Sequence, residues 1–137
     1  MPRSSRPRKA HTPKPVGRPV METMRRDLIL PAYSALSILQ LSDDDEALES
    51  ARHTLAALYN YMGASVTGSR RQVVVIALDA ILAMDARHDR TGRYRPTGAE
   101  LMALREAVAV CDQALPTLRT DRLVRSIATV NAALFGG

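Results

Sequence analysis

The chain has 137 residues, 46% hydrophobic and only 4% aromatic, with a net charge of +5. That length and apolar content exclude a wholly disordered protein and fit one domain with its own core, built from Leu, Ile, Val, Ala and Met. A single cysteine, Cys111, excludes an internal disulfide and fits a reducing, cytoplasmic setting. The longest apolar run, Val73 to Met84, carries Asp79 and falls short of the about 20 residues of a membrane span.

In chain order, residues 1–20 come first. They hold Arg3, Arg6, Arg8, Lys9, Lys14 and Arg18 and no acid, with Pro2, Pro7, Pro13, Pro15 and Pro19 between them. This composition predicts an extended, disordered, basic tail and opposes the amphipathic helix of an organellar transit peptide. Residues 21–137 keep 13 basic and 14 acidic residues, a net −1, so the basic pI belongs to the tail. A cationic arm on a neutral body points to an anionic partner such as nucleic acid, a membrane surface or an acidic protein. Arg outnumbers Lys by 17 to 2, a bias that, with the abundant Ala, reads as a GC-rich, bacterial genome.

Within the tail, Lys14-Pro15-Val16-Gly17-Arg18-Pro19 resembles the core of an AT-hook, a short extended peptide of the A·T minor groove. Gly17 would allow close approach, the prolines would hold the backbone extended, and Arg18 would enter where the potential is most negative. Val16 stands where an AT-hook has a basic residue. The resemblance implies low-specificity DNA binding; a merely solubilising arm is the alternative.

Met21, Met24, Leu28, Ala32, Ala35 and Leu39 recur at helical spacing and predict a first helix over about 20–41, kinked or broken at Pro31. Ser42 with Asp45 is a capping-box-like start for a second helix, with Leu48, Ala51, Leu55, Leu58 and Met62 on one stripe and Gly63 as its stop. Ser69 is the candidate cap of a third helix over about 70–87, apolar on nearly every side and so either central or covered by a second subunit. Thr97 with Glu100 is a second capping box, opening a fourth helix with Leu101, Leu104, Val108 and Cys111 in register. Pro116 ends it, and Leu123, Ile127, Val130 and Leu134 carry a fifth helix to Gly136. The expected fold is all-α, a four- to five-helix antiparallel bundle with the basic tail in front.

Several residues of the body are candidates for chemistry. Arg90, Arg93 and Arg95 flank Tyr94 in a predicted loop and could grip phosphate beside a stacked base; the alternative is a solvated loop pairing with Asp85 and Asp89. Arg70 and Arg71 oppose the dipole of the third helix and call for an anionic neighbour, for which the Asp43–Glu49 cluster is one choice. Arg119, Arg122 and Arg125 step along the fifth helix, as a basic surface or as salt-bridge partners of the second. Asp85, His88 and Asp89 have a helical ligand spacing without a second ligand motif, so no metal is expected. Glycine-rich phosphate loops, nucleophile elbows and paired cysteines are absent, so no catalytic residue and no cofactor are expected.

These features favour a non-enzymatic accessory protein. Its bundle would make protein contacts or dimerise, while Arg3, Arg6, Arg8, Lys9, Lys14, Gly17 and Arg18, with Arg90, Arg93 and Arg95, meet DNA. The alternative is a protein-interaction module, an adaptor or inhibitor such as a mobile-element effector, with no nucleic-acid role.

Overall fold

The computed structural model describes residues 22–136. The tail, its seven candidate DNA-contacting residues and the hook-like segment lie outside the described residues. Five α-helices follow: α1 (Glu22–Leu41), α2 (Asp45–Gly63), α3 (Gly68–Thr91), α4 (Gly98–Ala114) and α5 (Thr120–Asn131). A short 3-10 turn at Leu115–Thr117 precedes α5, and a wider π turn at Ala132–Gly136 follows it. Among the described residues there is no strand, and no helix is long and apolar enough to cross a membrane.

The first four helices form an antiparallel bundle. α1 packs on α2 and α4, α3 packs on the same two, and α2 touches α4 across the diagonal. α5 lies outside the four, against α2. Their apolar stripes face inward as the helical period requires: Ala32, Ala35 and Leu39 from α1, Leu48, Leu55 and Met62 from α2, Leu104, Val108 and Cys111 from α4 are all buried. Tyr59 is the largest fully buried side chain, and its hydroxyl donates to the Leu104 carbonyl at 2.6 Å, joining α2 to α4.

Pro31 does not break α1, which continues through it. The ring is exposed, so the Asp27 carbonyl that loses its partner can turn to water, while Ile29, Ala32, Ala35 and Leu36 hold both halves to the core. The start of α2 also differs from expectation. The Ser42 N–H still donates to Ile38 at 2.9 Å, so Ser42 closes α1, and Asp44 caps α2 by accepting from the Glu46 N–H at 3.3 Å. Thr67, not Ser69, precedes α3, and it makes no side-chain cap bond.

α3 runs to Thr91, four residues past the expected end, although its last turns carry no apolar stripe. Ion pairs hold them instead, and Gly92 stops the helix at φ 78°, its N–H donating to His88 O at 2.7 Å. A Cβ at Gly92 would meet nothing within 4 Å, so Gly92→Ala tests the backbone conformation alone. The expected cost is about 1–2 kcal/mol, read as a lower midpoint in urea unfolding.

Far from being central, α3 occupies a corner. Val74, Ala77, Ile81 and Met84 are buried, whereas Val75, Ile76 and Leu82 are 44%, 52% and 64% exposed. Asp79 lies among them on the solvent side.

Candidate functional site

The antiparallel layout gives the bundle two chemically different ends. At one end lie the C-terminus of α1, the N-terminus of α2, the C-terminus of α3 and the loop into α4. Asp43, Asp44, Asp45, Glu46 and Glu49 gather here, so this is the acidic end. At the other end lie the N-termini of α1, α3 and α5, and the chain preceding Glu22 joins the fold there; it is the entry end.

Most arginines near the acidic end are engaged in holding helices together. Arg52 of α2 donates to Asp85 of α3, with Nε 2.8 Å from Oδ1. Arg87 of α3 forks onto both carboxylate oxygens of Glu100 in α4, at 3.0 and 2.6 Å, and also donates to the Arg95 carbonyl. Arg95 donates to Asp43 and to the Ser42 carbonyl at 2.8 Å, tying the loop to the α1–α2 turn. Tyr94 stacks on His88 with ring centroids 3.8 Å apart, so its face is already covered. Of the loop's three candidate phosphate contacts, Arg95 is thus tied to Asp43, while Arg90 and Arg93 are exposed without a side-chain partner among the described residues. The expected pairing of this loop with Asp85 and Asp89 does not occur, because Arg52 takes Asp85.

The Thr97–Glu100 capping box forms as its spacing predicts. The Thr97 hydroxyl accepts from the Glu100 N–H at 3.1 Å, and Glu100 accepts from the Thr97 N–H at 2.9 Å. Burial pushes the Glu100 carboxyl up, but hydrogen bonds from Arg87 and from the Thr97 backbone outweigh it and hold the group below its ordinary 4.5. A carboxyl lowered in the folded state stabilises above its unfolded value and loses that contribution as pH falls through the folded one. The stability gap between the native chain and Glu100→Gln should therefore be full at neutral pH and shrink below about pH 4.5. Urea unfolding across that range measures it.

Asp85, His88 and Asp89 do not converge. Asp85 belongs to Arg52 and His88 to Tyr94, and among the described residues no three His, Cys, Asp or Glu side chains are grouped to hold a metal ion. Cys111 is fully buried, and desolvation, with Asp112 adding to it, pushes its thiol up to about 12. Such a thiol stays protonated and behaves as a small core hydrophobe.

The entry end has the opposite character. Arg25 is fixed by Asp112 at 2.8 Å and by Glu22 at 2.7 Å, and Arg119 lies 3.4 Å from Asp121 of its own helix. Arg26, Arg70, Arg71, Arg122 and Arg125 are all exposed, and none has an ion pair among the described residues. The suggested salt bridges from α5 to α2 are not made; α5 is instead joined to α2 by Tyr61 donating to Asn131 and Ser126 donating to the Tyr61 carbonyl. Nor does the Asp43–Glu49 cluster neutralise Arg70 and Arg71, since it sits at the far end of the bundle. α3 has no acid in its first turn, so these cations face the positive end of its dipole uncompensated.

A shallow groove of about 490 Å³ runs between the end of α2 and α5. Asn60, Ser65, Ser126, Thr129, Arg122 and Arg125 line it, and among the described residues neither a carboxylate nor an aromatic ring is in its walls. The signal for this surface was present in the sequence as the i, i+3 repeat of Arg119, Arg122 and Arg125, but its pairing state could not be read there. No family model matches the chain, and no curated protein or solved structure is similar to it.

Proposed function

We propose that this chain is a non-enzymatic accessory protein that associates with DNA at low sequence specificity through residues 1–20, while the bundle supplies protein contacts. The observation that carries the proposal is charge segregation. Six basic residues without an acid precede a body of net −1, and Glu22, where α1 begins, lies at the end that also carries Arg26, Arg70, Arg71, Arg122 and Arg125, none of them in an ion pair among the described residues. Cations placed together without partners raise their own energy, and a polyanion relieves it by giving up condensed counterions. Phosphate contacts of this kind position a protein on a duplex without reading its bases. Fluorescence anisotropy with two unrelated duplexes of equal length tests the proposal. Both should bind, with affinities within a few-fold of each other. Absence of binding to either, at low salt, would end it.

A second possibility, a protein-interaction module with no nucleic-acid role, draws on the α3 corner. Val75, Ile76 and Leu82 are exposed along one helix, and apolar surface of that kind often marks a contact with another chain. Under it, removing residues 1–20 would leave partner binding intact, while Leu82→Glu would weaken it.

A further inference from the structure

The arginines of the body divide by what they do. Arg25, Arg52, Arg87 and Arg95 each bridge two elements of the fold, whereas Arg122 and Arg125 project from α5 with no ion pair among the described residues. They border a groove whose other polar walls among the described residues, Asn60, Ser65, Ser126 and Thr129, are neutral. Among the described residues no carboxylate stands in the walls, and the nearest in sequence, Asp121, lies 3.4 Å from Arg119.

The geometry points to this α2–α5 groove as a contact surface for the phosphate backbone of double-stranded nucleic acid, with Arg122 and Arg125 as the contacting cations. It deepens the DNA-associating role proposed above and rests on it: Glu22, where α1 begins, lies at the same end of the bundle. Arg70 and Arg71, on the next helix start, extend the positive field at that end. Among the described residues no aromatic ring stands in the walls, which favours a duplex over a single strand, because single-strand binders rely on side chains on which bases stack. Tyr61, the nearest ring in sequence, is committed to Asn131 through its hydroxyl at 2.7 Å. The surface therefore reads charge spacing and not bases, and it takes any duplex.

The test uses the full chain and a labelled mixed-sequence duplex, with affinity followed against salt. If both arginines contact phosphates, Arg122→Ala/Arg125→Ala makes the slope of log affinity against log salt shallower by about 1.8. Across about 50 to 200 mM salt, the native chain then loses roughly tenfold more affinity than the variant. Arg122→Lys/Arg125→Lys restores most of the slope, because a point charge suffices for counterion release. Arg105→Ala, at an exposed arginine of α4 that donates to Gln40, leaves it unchanged. All these side chains are exposed, so unchanged thermal unfolding shows that the variants fold. The assignment is overturned if the alanine pair keeps the native slope, or if a single strand of equal length binds more tightly than the duplex. It is equally overturned if anionic vesicles are bound and the duplex is not. Failure of the native chain to bind duplex removes the DNA-associating role itself, whereas indifference to Arg122 and Arg125 in a chain that binds removes only this groove.

Discussion

Tyr59→Ala is expected to destabilise the bundle by about 3–5 kcal/mol, the largest loss from any single truncation in the core. Tyr59 is fully buried, and it is the largest of the fully buried side chains. Truncation leaves a cavity between α2 and α4, the two helices that meet across the bundle diagonal, where neighbours on both sides limit collapse. Tyr59→Phe separates volume from polarity. It removes only the bond to the Leu104 carbonyl, for an expected cost of about 1 kcal/mol. Burial raises the Tyr59 phenol far above its ordinary range, so the hydroxyl remains a donor at any pH where the chain is folded. Urea unfolding of the two variants checks both numbers. An alanine variant as stable as the phenylalanine one would mean that the core does not close around this residue.

Deleting residues 1–20 has the largest expected effect on function. Six cations leave with the deletion, and each phosphate neutralised contributes a slope of about 0.9 in log affinity against log salt. Affinity for duplex DNA at low salt should fall on the order of a hundredfold or more, and the salt slope should become shallower by as much as about 5. Thermal unfolding should not change, since among the described residues the buried core lies within Ile29 to Leu123. A truncated chain that binds as the native one does would leave the tail without a role and move the whole interaction to the bundle.

Most of the fold was legible because its helices announce themselves locally. The stripe Leu48, Ala51, Leu55, Leu58 and Met62 is buried throughout, and the Thr97–Glu100 box forms with both bonds in place. What could not be read depended on partners distant in sequence. The last turns of α3 look like a loop when only apolar spacing is followed. They are helical because Arg52, 33 residues away, meets Asp85 and because Arg87 meets Glu100 across a reversal of the chain. Pro31 signals a kink or a break by the rules of an isolated helix, and the break does not follow: an exposed proline flanked by buried residues on both sides is carried through. The apolar excess of α3 suggested a helix either central or covered by a second subunit; it is not central, since Val75, Ile76 and Leu82 face away from the core.

The candidate site divided along the same line. The charge of the tail is plain from composition. Which body arginines are free is not, because Arg87, Arg90, Arg93, Arg95, Arg122 and Arg125 look alike in sequence. Pairing decides: Arg87 and Arg95 secure the acidic end, and Arg90, Arg93, Arg122 and Arg125 have no ion pair among the described residues.

The most direct measurement is the affinity of the intact chain for a mixed-sequence duplex as a function of salt. Engagement of the six tail cations and of Arg122 and Arg125 predicts a steep linear decline, with a slope of about −7. An affinity that is flat with salt, or no binding at low salt, would contradict a polyanion-binding entry end.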